Sequence, residues 1–196
     1  VVGDIADSLD EILKRCDPSV ARILEDTIFF KKKSKPNDFF ITVVCTANIT
    51  RSPYFEALLR KTLIESGLRF RKRVVVESAG VKATNNQIAL HEITVYAKLR
   101  DQIVLSDHRS RKITSSIINN SSLILTMEQF HVDEIVAKVP EAKEKTFMIT
   151  AFGRTDDAAE SIDISDPTGS EDPEDYYKFF AIARSEVNRV LEYMVR

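Results

Sequence analysis

The sequence has few cysteines, no long apolar run and almost no net charge. Only two of the 196 residues are cysteines, which excludes a disulfide framework and predicts a reducing, cytoplasmic compartment. No stretch approaches the roughly 20 apolar residues of a membrane-spanning helix, and no signal-peptide pattern stands at the start, so no membrane partner is expected. The formal net charge of −2 gives no reason to expect a nucleic acid as partner.

Residues 1–37 differ in pattern from the rest of the chain. Ser8 with Glu11 three positions later forms a capping-box pattern, and Asp17-Pro18 is typical of a second helix start. Residues 1–37 therefore predict a helical hairpin extension and a linker, and residues 38–196 a second domain. A two-helix unit cannot bury its apolar face alone, so one hypothesis is a docking element or a homodimer formed through the hairpin. The simpler alternative is a packing appendage or the end of a preceding domain.

From Phe39 onward, strand patterns alternate with helix patterns. Strands are predicted at 39–45, 74–76, 123–127 and 145–150, and helices at 53–66, 89–99, 128–138 and 173–194. Such alternation is typical of a parallel sheet with right-handed crossovers. We therefore predict a three-layer α/β fold, with a four-stranded parallel sheet and helices on both faces. Ligands of such sheets bind at the carboxyl ends of the strands.

The stretch VVCTANITRSP at 43–53 places a cysteine at such a strand end. A short loop separates Cys45 from a helix predicted to start at Ser52 and Pro53, and the N–H groups of such a loop and helix start can bind an anion. The helix start and Arg51 favour the thiolate of Cys45, and the planar guanidinium can grip two phosphate oxygens. This arrangement suits attack of the thiolate on a bound phosphate, giving a phosphocysteine that water then hydrolyses. Ser52 can donate a hydrogen bond to the sulfur.

A simpler interpretation competes with this one. A cysteine that ends a buried strand is usually a small core residue, and an arginine that opens a helix is usually a surface residue. The order of strand, loop and helix around Cys45 and Arg51 favours the phosphate site.

A phosphatase of this kind also needs an acid for the leaving group. The late stretch SIDISDPTGSEDPEDYYK offers Asp163, Asp166, Glu171 and Asp172. Asp166 is the preferred candidate because the following proline fixes a turn and disfavours helix at the aspartate itself. For the other acids, a solvated loop is the simpler interpretation.

Taken together, these segments resemble the low-molecular-weight protein-tyrosine phosphatase family over about 38–196. VVCTANITRSP is similar to the signature loop, ISDP to the late Asp-Pro element, and ESAG at 77–80, SDHRSRKIT at 106–114 and LILTMEQF at 123–130 to further family segments. The resemblance implies hydrolysis of phosphotyrosine in protein substrates through a phosphocysteine, without metal or cofactor. It makes Cys45 the nucleophile, Arg51 the phosphate clamp and Asp166 the general acid.

The resemblance also implies which residues surround the nucleophile. The phosphate-binding loop would comprise Thr46, Ala47, Asn48, Ile49, Thr50 and Ser52. Asn48 would adopt a left-handed backbone conformation and join Ser52, Ser78 and His108 in a polar network behind the loop. Taken alone, Ser78 is simply a strand end and His108 a capping or surface histidine.

Three positions depart from the family pattern. Ala47 stands where glycine is usual, so either the loop is reshaped or this position needs no positive φ. Thr50 replaces a second cysteine, which removes the partner for a protective disulfide and predicts a nucleophile open to irreversible oxidation. Thr168 replaces an aromatic residue after Asp-Pro, which removes one wall for a substrate ring.

Other functions of the same fold remain as alternatives. An arsenate reductase needs a relay of further cysteines, and the only other one is Cys16 in the predicted hairpin. Protein-arginine phosphatases tend to carry threonine four places after the nucleophile, where Ile49 stands here, and its bulk favours an aryl phosphate. A non-catalytic phosphate-binding module is the third alternative, and the presence of Cys45, Arg51 and Asp166 argues against it.

Overall fold

The sheet is built around β1 (Phe39–Cys45), the nearly continuous apolar run of the sequence. The computed structural model describes residues 38–68, 70, 72–154 and 162–194. The predicted hairpin and linker at 1–37, and with them Cys16, lie outside the described residues. The five residues Ile41 to Cys45 are all buried, as expected for a strand covered on both faces.

In the described part of the chain, four strands form one parallel sheet in the order β2-β1-β3-β4, which confirms the predicted sheet. β2 covers Val74–Gly80, β3 covers Leu123–Thr126 and β4 covers Thr146–Met148. β1 pairs with β2 on one side and with β3 on the other, and Cys45 lies in register with Gly80. The central position of β1 puts the carboxyl end at Cys45 between the ends of two neighbouring strands.

Helices cover both faces of the sheet. They are α1 (Arg51–Glu65), α2 (His91–Asp101), α3 (Ser115–Asn120), α4 (Gln129–Lys138) and α5 (Pro173–Met194), with a 3₁₀ turn at Pro140–Lys145. Successive residues of a strand face opposite ways. Val43 accordingly packs in a core with α1, α2 and α5, whereas Val44 packs in a second core with α3 and α4. Within the described ranges, no helix is long and apolar enough to cross a bilayer.

Several element boundaries differ from the predicted ones. α1 begins at Arg51 rather than Pro53, because the fixed φ of proline suits any position in the first turn of a helix and does not single out the first. β2 continues to Gly80 through ESAG, which lacks apolar alternation but pairs fully with β1. β4 is only three residues long, and the short helix α3 was not predicted. The last helix has the predicted bounds, Pro173–Met194.

Candidate active site

The loop from Thr46 to Thr50 connects the end of β1 to the start of α1. Among the described residues, the backbone N–H groups of Ala47, Ile49, Thr50 and Arg51 have no protein acceptor. The N–H of Asn48 instead points at Cys45 Sγ, at 3.3 Å. Unpaired N–H groups around a helix start form an anion-binding cradle. The loop and the helix start that follow Cys45 therefore offer several backbone donors without a partner among the described residues.

Cys45 lies at the base of this loop and is only 2% exposed. Ser52 Oγ lies 3.0 Å from its sulfur. Ser52 Oγ accepts a hydrogen bond from the Asn48 amide, and its own hydrogen has two acceptors within reach, the sulfur at 3.0 Å and the Ala79 carbonyl at 3.4 Å, of which the sulfur is the nearer. A thiolate at Cys45 would thus accept two hydrogen bonds, from Ser52 Oγ and from the Asn48 N–H.

Asn48 holds the loop in shape from behind. Its backbone has a φ of 58°, in the left-handed region that Asn tolerates better than most residues. Its Nδ2 donates to Ser52 Oγ and Ser78 Oγ, both at 2.9 Å, and its Oδ1 accepts the Arg111 N–H at 2.9 Å. The ring of His108 donates from Nε2 to the Asn48 carbonyl over 2.7 Å. The structure therefore brings together the four residues expected to form the network.

Ala47 does not take a positive φ; in the loop only Asn48 does. The missing glycine therefore needs no special backbone conformation at this position. The glycine that matters structurally is Gly80, at the end of β2. A Cβ there would lie 2.6 Å from the Thr46 carbonyl oxygen and 2.9 Å from the Asn48 nitrogen. Such a Cβ has no room, so Gly80 allows the loop backbone to lie directly against β2.

One edge of the Arg51 guanidinium is held by protein acceptors, and the other edge can bind a ligand. Its guanidinium is 1% exposed, and Nη1 donates to the Ile164 carbonyl at 2.7 Å and to Glu128 Oε1. Nη2 contacts Thr46 Oγ1 at 3.2 Å and Asp166 Oδ2 at 2.7 Å. The buried Nε has no partner among the described residues. A phosphate that takes Nε and displaces Asp166 from Nη2 would bind in the bidentate fork geometry.

Among the described acids of the stretch from Ile162 to Lys178, only Asp166 contacts Arg51. Asp163 instead accepts the Gln129 N–H at the start of α4, and Asp172 accepts the Glu174 N–H at the start of α5. Asp166 is about one-third exposed, so its carboxyl group faces both Arg51 and solvent. This placement suits a group that must meet a substrate at the mouth of the loop.

Two residues that the sequence did not single out complete the site, Glu128 and His131. Both belong to the start of α4, directly after β3. The Glu128 N–H donates to His131 Nδ1 at 3.1 Å, so the ring proton lies on Nε2, which donates to Thr46 Oγ1 at 3.0 Å. With His131 and Arg51 Nη2 as its two donors, the Thr46 hydroxyl keeps its own hydrogen for a ligand. The only sequence signal for Glu128 and His131 is their position. Glu128 follows β3, the strand beside β1, and the carboxyl ends of these two parallel strands lie at the same edge of the sheet.

His131 is held in the neutral form. Burial lowers its pKa from 6.5 to about 3, and the positive charges of Arg51 and Lys82 act in the same direction, whereas Asp166 opposes them. A neutral imidazole in this tautomer donates a hydrogen bond from Nε2 only and accepts one at Nδ1. This ring therefore orients the Thr46 hydroxyl without adding charge to the loop.

Comparisons with known proteins agree with this arrangement. Residues 40–195 match the family model described as low molecular weight phosphotyrosine protein phosphatase. The chain is 34% identical to a protein-arginine-phosphatase of Geobacillus stearothermophilus over 78% of this chain and 90% of that protein. It is 37% identical to the low molecular weight protein-tyrosine-phosphatase Etp of Escherichia coli K12, over 55% of this chain and 67% of that protein.

The solved structures agree as well. The YwlE arginine phosphatase of Geobacillus stearothermophilus superposes with a TM-score of 0.68 at 32% identity, covering 80% of this chain and 92% of that one. Fold and loop define an α/β protein with an anion cradle at the carboxyl edge of its sheet. The chain belongs to the low-molecular-weight phosphotyrosine protein phosphatase family. The resemblance inferred from the sequence motifs is thereby confirmed.

Proposed function

We propose that the chain is a protein-tyrosine phosphatase that hydrolyses phosphotyrosine through a phosphocysteine at Cys45, without metal or cofactor. The observation that carries the proposal is that Cys45 is followed, within one strand-loop-helix segment, by backbone N–H groups and an Arg51 Nε that have no partner among the described residues. Family membership supports the reaction class, and Etp is one relative named for this substrate.

In the first step, the Cys45 thiolate attacks phosphorus and the bond between phosphorus and the aryl oxygen breaks. The loop N–H groups, the Thr46 hydroxyl and Arg51 bind the three other phosphoryl oxygens, whose charge they stabilise in the transition state. A protonated Asp166 gives its proton to the aryl oxygen, so that tyrosine leaves as a neutral phenol. The products of this step are the phenol and the phosphocysteine.

In the second step, water attacks the phosphocysteine. Asp166, now a carboxylate, takes a proton from the attacking water, and the bond between phosphorus and sulfur breaks. Inorganic phosphate leaves, and the sulfur departs as a thiolate that accepts hydrogen bonds from Ser52 and the Asn48 N–H. Glu128 and the Ile164 carbonyl keep Arg51 Nη1 fixed throughout, so that Nε and Nη2 face the phosphate.

Phosphoarginine is the second candidate substrate, because the relative with 34% identity is named a protein-arginine-phosphatase. Ile49 argues against it. This side chain is half-buried at the loop, and its carbonyl is fixed by the Leu90 N–H at 2.8 Å. A branched apolar side chain packs well against an aryl ring but leaves the polar guanidinium of phosphoarginine without a partner.

The test compares phosphotyrosine, phosphoarginine and arsenate side by side, with and without a metal chelator. We expect kcat/KM for phosphotyrosine to exceed that for phosphoarginine, no reduction of arsenate, and no effect of the chelator. Ile49→Thr should move the ratio of the two kcat/KM values toward phosphoarginine, whereas Ile117→Thr, at the distant helix α3, should not. Preference for phosphoarginine in the wild-type chain would refute the substrate assignment, and a loss of activity on chelation would refute the mechanism.

The cytoplasmic location and the homodimer formed through the predicted hairpin at 1–37 belong to the same proposal. Both rest on the sequence alone, on its two cysteines and on the apolar stripes that the sequence predicts for the two helices of the hairpin. Sedimentation of the full chain beside a chain starting at Asp38 would test the dimer, since only the full chain should sediment as a dimer.

A further inference from the structure

Thr50 is the helix N-cap of α1, yet its side chain does not cap the helix. Threonine at this position usually accepts a backbone N–H two or three residues later. Here no such bond forms, and Thr50 Oγ1 lies 2.7 Å from Thr168 Oγ1 instead. Thr50 is 2% exposed, so its hydroxyl is held in place by its surroundings. The side chain therefore links the phosphate loop to the late loop that carries Asp166.

The hydrogens of this contact can be assigned from the neighbouring bonds. Thr168 Oγ1 donates its only hydrogen to Asp166 Oδ1, at 2.6 Å. Thr50 must therefore be the donor in its contact with Thr168. The Thr168 N–H also donates to Asp166 Oδ1, at 3.1 Å. The result is a directed chain of hydrogen bonds from Thr50 through Thr168 to one oxygen of Asp166.

This chain makes the two oxygens of Asp166 unequal. Oδ1 accepts two hydrogen bonds from Thr168, whereas Oδ2 faces Arg51 Nη2 at 2.7 Å. An oxygen that already accepts two donors is a poor place for a proton. Once a bound phosphate displaces Oδ2 from Arg51 Nη2, Oδ2 is the oxygen open to a proton on this carboxyl group. Oδ2 is also the oxygen beside the phosphate clamp, where the leaving-group oxygen would lie.

We propose that Thr50 and Thr168 are a pair of positioning residues that hold Asp166 with Oδ2 toward the leaving-group oxygen. The proposal rests on the proposed function, since it concerns how the general acid of that reaction is aimed. Both threonines stand where the sequence departs from the family pattern. Thr50 takes the place of a second cysteine, and Thr168 takes the place of an aromatic residue after Asp-Pro. The two departures thus act together, each supplying one hydroxyl of the same hydrogen-bond chain.

The test is the dependence of kcat/KM on the leaving group. Thr168→Val and Thr50→Val keep the shape of the side chain and remove the hydroxyl. Phenyl phosphate needs the proton of Asp166 far more than p-nitrophenyl phosphate does, because phenolate is the poorer leaving group. We expect the ratio of kcat/KM for p-nitrophenyl phosphate to that for phenyl phosphate to rise about tenfold in both variants, since a positioned acid is worth about 10²–10⁴ in rate.

Two kinds of control variant separate the positioning of Asp166 from a general disturbance of the structure. Thr168→Ser and Thr50→Ser keep a hydroxyl and should restore the wild-type ratio. Thr62→Val removes a hydroxyl that donates to the Leu58 carbonyl within α1, at 2.9 Å, and should also keep the wild-type ratio. Thr168 is exposed, so Thr168→Val decides the question if Thr50→Val fails to fold.

The outcomes distinguish this proposal from the proposed function. A wild-type chain that hydrolyses both substrates, with the same ratio in the valine variants, would overturn the positioning role alone. Serine variants that behave like the valine variants would also overturn it, because the effect would then not follow the hydroxyl. A wild-type chain with no hydrolysis of aryl phosphates would overturn the proposed function and this proposal together.

Discussion

The neutral state of His131 predicts a specific dependence of stability on pH. Burial and the charges of Arg51 and Lys82 lower the pKa of His131 from 6.5 to about 3 in the folded chain. In the unfolded chain the ring takes a proton below about pH 6.5, whereas in the folded chain it does not. The contribution of His131 to stability is therefore fully present above pH 6.5 and is lost as the pH falls toward 3.

The size of the effect follows from linkage. Each pH unit between the two pKa values changes the free energy of unfolding by about 1.4 kcal/mol. At pH 5.0 the wild-type chain should thus have lost about 2 kcal/mol relative to its plateau near pH 8 because of this ring alone. Other groups add their own pH dependence, so the measured quantity is the difference between the wild-type chain and His131→Asn.

The assay is urea unfolding at several values between pH 5.0 and pH 8.0. His131→Asn should be less stable than the wild-type chain at pH 8, because the bond to Thr46 Oγ1 is lost. That gap should close by about 2 kcal/mol at pH 5.0. His91→Asn, an exposed histidine on α2, is the matched control and should run parallel to the wild-type chain. A gap for His131→Asn that stays constant with pH would refute the neutral, buried ring.

Further predictions concern the shape of the phosphate loop. Gly80→Ala would place a Cβ 2.6 Å from the Thr46 carbonyl oxygen and so displace the loop; we expect kcat/KM to fall about a hundredfold if the loop shifts by about 1 Å. An unchanged kcat/KM would show that the close contact does not matter. Asn48→Ala would remove three side-chain hydrogen bonds, at about 1 kcal/mol each, and should lower the free energy of unfolding by about 3 kcal/mol in urea titrations. Asn119→Ala, on an exposed face of α3, should change it little, and equal losses in the two variants would contradict the buried network.

Sequence reasoning placed Cys45 beside Arg51 because the signal for both residues is local. An apolar run buried on both faces, a short loop and a helix start fix the position of Cys45 relative to Arg51 without knowledge of the rest of the fold. The same reasoning selected Asp166 from a late acidic stretch because the following proline limits its backbone. Only the structure reports that Asp166 Oδ2 lies 2.7 Å from Arg51 Nη2, a contact between residues far apart in the chain.

Glu128 and His131 were not predicted, because their role also depends on contacts between residues far apart in the chain. Each is an ordinary residue for a helix start, and its role depends on where β3 places that helix beside β1. The start of α1 was predicted at Pro53 although the helix begins at Arg51, because proline reports a compatible φ and not a boundary. The contact between Thr50 and Thr168 was likewise out of reach, because it joins two loops that no sequence pattern pairs.

The central claim, a phosphocysteine at Cys45, is tested most directly by trapping the intermediate. The chain is mixed with excess p-nitrophenyl phosphate, quenched in acid and analysed by peptide mass spectrometry. The expected result is one added phosphoryl group on the peptide that contains Cys45, with neither the adduct nor turnover in Cys45→Ser. Turnover that survives in Cys45→Ser, or turnover by the wild-type chain with its phosphoryl group trapped at another residue, would contradict the account.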